Sequence, residues 1–259
     1  MLAPLLLSFA LTTLNAPSSP LLQDVDVRAE FVRIHAAEGT EALRALWEAY
    51  PGRVLGSIDE DLEGSLAIWE AAKGGELSVS DMAVIHEQQE RALWGAAIAS
   101  EVTGDAIFID YTSSFVGWSD EEKRSFRAGQ AFFAQARKDM AAGEWDAALE
   151  AGQQCTQLAL QLGDWWGVAM GLSAEARASL GQGKAVAAIA PASRARLLYQ
   201  QLGLAASELN AVQTMLTALE ELGRQERALA CADAAVALAV ELGDSDAAAA
   251  FTARRDALK

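Results

Sequence analysis

A long repeat in the second half of the chain constrains the fold more than any other feature. Gly143, Gly183 and Gly223 are evenly spaced, and no gap interrupts the spacing. This spacing, called here the repeat period, is about 40 residues, a length typical of solenoids in which each unit packs against its neighbours. Three further positions and a closing pair share the period: Ala148, Ala188 and Ala228; Leu149, Ile189 and Leu229; Cys155, Ala195 and Ala235; Leu162-Gly163, Leu202-Gly203 and Leu242-Gly243.

The composition favours helices that pack on helices. Hydrophobic residues make up 52% of the chain, aromatic residues only 7%, and proline occurs five times. Because alanine is abundant, the helices can approach each other closely. We therefore predict an all-α fold.

The same patterns give the boundaries of the predicted helices. Ser119, followed by three acidic residues, is a strong helix start, and three helix pairs and a closing helix follow it. Before Ser119, the apolar spacing predicts helices with Thr40 and Ser80 as N-caps and a capping box at Ser57 and Glu60. The predicted ranges are 24–50 (interrupted at Gly39-Thr40), 54–73, 80–103, a short helix or packed loop in 104–118, then 119–142, 144–162, 165–180, 183–202, 205–222, 225–242 and 246–258.

The repeat resembles the tetratricopeptide family, with longer helices. The first unit reads Gly143-Glu-Trp145-Asp-Ala-Ala148-Leu149, followed by Cys155, and is similar to the family's Gly-x-aromatic-x-x-Ala-Leu signature. Two departures are Leu216, which replaces a small residue, and Pro191, which we expect to kink its helix. The resemblance implies a right-handed superhelical array of antiparallel helix pairs over residues 119–259, preceded by an α-helical N-terminal region at 24–118.

In this family the first helix of each pair lines a concave groove, so the resemblance also implies which residues contact a partner. Arg137 and Arg177 are one period apart, and two guanidinium groups in one groove can clamp a carboxylate. The alternative is that each arginine pairs with a nearby acid or lies along solvent. Amide side chains of the set can bond a peptide backbone. The predicted groove residues are Gln130, Phe133, Arg137, Met170, Ser173, Arg177, Asn210, Gln213 and Thr217.

Trp165 and Trp166 open the first helix of the second unit. Adjacent residues cannot share one helix face, so we expect at least one indole exposed at the rim of the groove, where it contacts a partner.

The charge argues against nucleic acid and against anionic membranes as partners. The net charge is −16, and residues 1–124 carry 21 acidic but only 8 basic side chains. Phosphates require a basic surface, which this chain lacks. We interpret the acidic stretch Asp59-Glu60-Asp61 with Glu63 as a solvated helix start.

The sequence predicts neither a metal nor a cofactor nor a catalytic set. His86 has Glu90 where a helical zinc site requires a second histidine, and the only other histidine is His35. Cys155 and Cys231 have no metal-binding spacing and are predicted to be buried. We therefore expect a non-enzymatic scaffold that binds a protein or peptide, or alternatively a sensor of a small ligand or signalling peptide.

The N-terminal segment, residues 1–23, leaves the location of the protein open. Its apolar run from Leu2 to Leu14 is too short to span a bilayer and resembles the core of a secretory signal. However, no Lys or Arg occurs before Arg28, and Leu14 precedes the best cleavage site, after Ala16, where a small residue is preferred. A cytoplasmic location is slightly favoured, and export follows if residues 1–16 act as a signal.

Overall fold

The computed structural model describes residues 25–72 and 75–259, so the prediction for the N-terminal segment lies outside the described residues. This part of the chain forms twelve helices and no strand, which confirms the all-α prediction. In chain order they are α1 Val27–Ala36, α2 Thr40–Ala49, α3 Pro51–Ala71, α4 Val79–Thr103, α5 Ile107–Gly117, α6 Asp120–Ala142, α7 Trp145–Leu162, α8 Trp165–Gly181, α9 Ala185–Gln201, α10 Ala205–Glu221, α11 Gln225–Glu241 and α12 Ser245–Ala257.

The helix starts agree with the sequence where a cap stands next to an acidic first turn. Ser119 forms a complete capping box with Glu122 at the start of α6. Three predicted caps were wrong: Ser78, not Ser80, caps α4, Gly39 precedes α2, and Ser57 lies inside α3. Helix α3 begins earlier than predicted because Pro51 occupies its first turn, where a missing amide hydrogen costs no helical bond.

The glycines of the repeat period end helices in the left-handed backbone region, which glycine adopts without steric cost. Gly143, Gly183 and Gly223 have φ of 78°, 72° and 62°. The small residues of the period are buried where paired helices touch, with exposures of 0–3%: Ala148, Ala188, Ala228, Cys155, Ala195 and Ala235. The period therefore sets both the turns and the close helix contacts.

From α6 to α12 the helices pack against their neighbours in sequence order. In addition, α6 contacts α8 and α8 contacts α10, so the first helices of the three pairs lie side by side. Helix α9 continues through Pro191 from Ala185 to Gln201, so the proline does not end it. Helix α12 covers the last pair and buries Phe251 against α10 and α11.

The N-terminal helices α1–α5 pack against the turns that join the helix pairs. The indole nitrogen of Trp118 donates a hydrogen bond of 3.0 Å to the carbonyl of Leu162. At the next turn, the side-chain amide of Gln201 donates to Asp105 at 3.1 Å. One hydrophobic core continues from these helices into α6 and the two turns, where Phe126, Leu162 and Leu202 are buried with it.

An ion cluster lies inside this N-terminal region. Asp61 is fully buried, and its carboxylate accepts hydrogen bonds of 2.8 and 2.6 Å from Arg91 of α4. Arg28 of α1 also pairs with it. The prediction of a solvated acidic helix start was therefore wrong for Asp61, because α3 turns this residue towards two arginines on other helices.

Candidate functional site

A cavity of about 240 Å³ lies where the N-terminal helices meet the first two helix pairs. Helices α3, α5, α6, α7 and α8 all contribute to its wall. The wall combines aromatic and aliphatic side chains with two carboxyl groups. It is lined by Asp59, Tyr111, Ser125, Phe126, Gly129, Gln130, Phe133, Cys155, Leu158, Ala159, Leu162, Asp164, Trp166, Gly167 and Met170.

Asp59 enters the cavity from α3. Its carboxylate accepts a hydrogen bond of 2.9 Å from the hydroxyl of Tyr111, which is buried on α5. Burial raises the pKa of Asp59 to about 6, while this hydrogen bond acts in the opposite direction. Asp59 is therefore an acid that titrates near neutral pH.

Asp164 also lines the cavity and lies at the turn before α8. Only 6% of the residue is exposed, and its Oδ1 atom accepts a hydrogen bond of 2.8 Å from the backbone amide of Gly167. This contact makes Asp164 the N-cap of α8. Burial raises the pKa of Asp164 to about 7, and the nearby charges of Asp59 and Glu63 add to the shift while backbone hydrogen bonds oppose it.

Neither of these two carboxylates forms an ion pair in the part of the chain that the structure describes. The guanidinium whose charge reaches Asp59, that of Arg127 on α6, pairs instead with Glu63 at 2.6 Å and with Glu70 at 2.7 Å. Gln130 joins the same network, since its amide donates to Glu63 and accepts from Arg127, both at 2.7 Å. The network ties α6 to α3 beside the cavity, and among residues 25–72 and 75–259 no cationic side chain forms an ion pair with Asp59 or Asp164.

Arg137 of α6 and Arg177 of α8 are both exposed and lie close enough to influence each other. Burial of the guanidinium lowers the pKa of Arg177, although the residue as a whole is exposed, and the positive charge of Arg137 lowers it further. Within residues 25–72 and 75–259, neither arginine forms an ion pair with a carboxylate. Of the alternative to a clamp, pairing with a nearby acid therefore does not occur in this part of the chain, whereas a position along solvent agrees with the exposure of both residues.

The remaining predicted groove residues follow the same side of α8 and α10. Ser173 lies beside Tyr199, a buried side chain of α9 whose pKa burial raises to about 12. On α10, Asn210 is exposed and Gln213 is half-buried. Thr217 accepts a hydrogen bond of 3.1 Å from Arg254 of α12, so the closing helix already occupies this end.

The structure separates the predicted site residues into two groups. Gln130, Phe133 and Met170 line the cavity, whereas Arg137 and Arg177 lie beyond it. Met170 and Arg177 are two turns apart on α8, which corresponds to about 10 Å along the helix axis. The α6–α8–α10 face, defined here as the nine predicted groove residues, therefore extends from the cavity past the arginine pair to α12.

Neither tryptophan has the exposed indole that the sequence led us to expect at the rim of the groove. Trp165 and Trp166 are both half-buried, and both pack against the hydrophobic core. Trp166 also lines the cavity. The tryptophans are half-buried because α1–α5 cover the edge of the first helix pairs. The sequence alone predicted that this edge would face solvent.

The two cysteines are free, buried thiols, as the sequence predicts. Burial raises the pKa of the Cys155 thiol to about 12, so its reactive thiolate form is scarce at neutral pH. No group of three or more side chains that could ligate a metal occurs among the described residues.

Neither a family model nor a curated protein matches this chain. No helix among residues 25–72 and 75–259 combines the length and the apolar character needed to cross a membrane.

The sequence assigned no role at a site to Asp59, Tyr111 or Asp164, and its interpretation of Asp59 as part of a solvated helix start was wrong, because Asp59 is partly buried in the cavity wall. Asp164 follows the Leu-Gly pair that closes the first unit, and at the same place in the period stand Leu204 and Asp244. An aspartate at this position is an ordinary helix cap. Its place in the cavity wall depends on α3 and α5, and the repeat period does not include these two helices.

Proposed function

We propose that this protein is a non-enzymatic binding module whose α6–α8–α10 face receives a peptide or protein segment. The proposal includes the finer fold: a right-handed superhelical array of the tetratricopeptide type over 119–259, in which this face is the concave groove. The buried small residues of the repeat period and the contacts of α6 with α8 and of α8 with α10 support it. Because one fold can serve many functions, the function is assigned from the residues on this face.

The observation that carries this function is that Arg137 and Arg177 lie near each other and that neither forms an ion pair with a carboxylate of the described residues. Two guanidinium groups within reach of each other's charge repel unless an anion joins them. A carboxylate between Arg137 and Arg177 would relieve this repulsion with charge-assisted hydrogen bonds. The partner segment therefore carries an acidic side chain or a C-terminal carboxylate.

Affinity capture with paired variants tests this function. The wild type and an Arg137→Ala/Arg177→Ala variant are used as bait in an extract of the native host, and captured proteins are identified by mass spectrometry. The matched control is Arg194→Ala/Arg224→Ala, which removes the same charge from two exposed arginines of α9 and of the turn before α11. We expect a partner that the control retains and the first variant loses. Equal capture by both variants contradicts the groove proposal.

A second function, that of a sensor for a small ligand, is favoured by the cavity. It shares Gln130, Phe133 and Met170 with the α6–α8–α10 face. A ligand in the cavity therefore contacts residues that the peptide would also contact. A rise in melting temperature on ligand addition tests this alternative, because a ligand that binds only the folded state stabilises it.

A further inference from the structure

The cavity has a chemical character that the sensor alternative does not specify. Aromatic rings of Phe126, Phe133 and Trp166 form part of its wall, and the carboxyl groups of Asp59 and Asp164 form another part. Asp164 is more than nine-tenths buried, and no cationic side chain pairs with it in the described part of the chain. A buried carboxylate without a cationic partner is costly in a protein interior. A cation from outside the protein would remove that cost.

The wall of the cavity favours an organic cation over a metal ion. Aromatic faces attract ammonium groups through the ring quadrupole, whereas hard metal ions prefer a shell of six or more oxygen atoms. Two aspartates and one phenol do not supply such a shell. The volume of about 240 Å³ lies below the range of about 300–1,000 Å³ that is typical for drug-sized ligands, so the cavity suits a small molecule.

We propose that this cavity binds a small organic amine in its ammonium form, with the ammonium group between Asp59 and Asp164 and the apolar part against Phe126, Phe133 and Trp166. The proposal deepens the sensor function by naming its ligand class. It does not depend on peptide binding at Arg137 and Arg177.

The surrounding charges support a preference for cations. The N-terminal half of the chain, which contributes α3 and α5 to the cavity wall, holds most of the negative charge, and such an excess attracts cations. The guanidinium of Arg127, whose charge reaches Asp59, is already shared by two glutamates. The titratable and charged groups that face Asp59 are Tyr111 of α5, Glu60 and Glu63 of α3 and Arg127 of α6; those that face Asp164 are Asp59 and Glu63 of α3, Tyr111 of α5 and Cys155 of α7.

Ionisation of the two aspartates gives the binding a definite pH dependence. Because the pKa of Asp59 is about 6 and that of Asp164 about 7, both are fully charged only above neutral pH. An ammonium ion requires the charged forms, so its affinity rises with pH up to about pH 8 and binding at about pH 6 releases protons.

The period of the sequence provides a matched control for Asp164. Asp244 stands two periods later, is 8% exposed, and caps α12 through Ala247 as Asp164 caps α8 through Gly167. Asparagine caps helices about as well as aspartate, so both Asp164→Asn and Asp244→Asn keep the cap while removing the charge. Of these two aspartates, Asp164 lines the cavity and Asp244 does not.

Calorimetric titration of the full chain at about pH 8 with 2-phenylethylammonium tests the proposal, with the neutral 2-phenylethanol as the comparison ligand. We expect the amine to bind about tenfold or more tightly than the alcohol, and Asp164→Asn and Asp59→Asn each to weaken it by about tenfold, since one charged contact is lost. Asp244→Asn should leave the affinity unchanged. Circular dichroism of each variant confirms that the helices are retained.

Each other result overturns a distinct part of the inference. Equal binding of amine and alcohol shows that the cavity takes ligands without selecting ammonium. Absence of binding by both refutes the cavity as a ligand site and with it the sensor alternative. Tighter binding of Nα-acetyl-lysine N-methylamide than of the amine assigns the ammonium group to a partner's lysine side chain and contradicts the small-molecule proposal. An equal loss in Asp244→Asn and Asp164→Asn shows that the effect is not local to the cavity.

Discussion

The hydroxyl of Tyr111 donates a hydrogen bond of 2.9 Å to Asp59, although the two residues are 52 positions apart in the chain. This bond joins α5 to α3 at the wall of the cavity. Burial raises the pKa of Asp59, and among the groups that oppose this rise the Tyr111 hydroxyl has the largest effect. The contact therefore couples the packing of the N-terminal helices to the charge state of the cavity.

Tyr111→Phe should raise the pKa of Asp59 above its value of about 6, because the charged carboxylate loses its hydrogen-bond donor. Stability should fall by about 1 kcal/mol, the usual contribution of one hydrogen bond. Titration of the Asp59 carboxyl carbon by NMR measures the first effect, and denaturant unfolding measures the second. Phe115→Leu, which alters the same helix without touching Asp59, is the control for the pKa. An unchanged or lower pKa in Tyr111→Phe contradicts the prediction.

Asp164→Asn should stabilise the protein at about pH 8 and have little effect at about pH 4. The folded-state pKa of about 7 lies above the ordinary value of 3.8, so the folded state holds the proton more strongly than the unfolded state. The stability that the protonated group contributes is therefore fully present below about pH 4 and is lost as the pH rises through about 7, by up to roughly 4 kcal/mol. Asparagine has no charge to bury and keeps the cap.

Urea unfolding of both proteins at about pH 4 and about pH 8 measures this difference, and Asp244→Asn again serves as the control. The comparison with wild type matters, because carboxylates with lowered pKa such as Glu70 lose their stabilising effect at low pH in every variant. If Asp164→Asn is less stable than the wild type at the higher pH, the charge of Asp164 is not a cost to the fold.

Arg91→Met should destabilise the protein by about 3 kcal/mol, because Asp61 would stay buried with only Arg28 as a partner. The side chain of Arg91 is 7% exposed and that of Asp61 is fully buried, so water cannot replace the lost contacts. Arg33→Met, which breaks an exposed pair with Glu30, is the control and should have a much smaller effect because water screens that pair. Chemical denaturation measures both, and equal losses would contradict the prediction.

Gly171→Ala should cost about 1–3 kcal/mol, because α8 crosses α7 too closely for a methyl group. A Cβ at Gly171 would lie 2.7 Å from the backbone nitrogen of Thr156 and 3.0 Å from the carbonyl of Gly152. Gly129→Ala in α6 is the matched control, since its Cβ would meet Leu158 at an ordinary 3.8 Å. That change should stabilise by about 0.5–1 kcal/mol. Thermal unfolding of both variants distinguishes these opposite signs.

The period of the sequence was sufficient to predict the helices of the second half because each unit repeats the same local signals. Gly143 and its equivalents require positive φ, and Ala148 and its equivalents require close contact, so backbone and packing agree. In the first half no repeat exists. There the caps at Thr40, Ser57 and Ser80 were misplaced, since an isolated serine or threonine fits several starts.

The cavity could be predicted only in part, for a different reason. Phe133 and Met170 belong to the repeat, and their register follows from it. Asp59 and Tyr111 belong to α3 and α5, and nothing in a single sequence states which edge of the repeats these helices cover. The half-buried position of Trp166 follows from the same tertiary contact.

The third helix pair shares no buried core residue with α1–α5 in the described part of the chain: its cluster, from Leu209 to Phe251, is formed by α10, α11 and α12 alone. The first two pairs, by contrast, are tied through Leu162 and Leu202 to the N-terminal core. Because the turn between the second and third pairs, at Leu202, belongs to the N-terminal core, we expect an added repeat unit to be tolerated only beyond that turn, among helices that do not pack on α1–α5. Such an addition would lengthen the α6–α8–α10 face and leave the walls of the cavity in place.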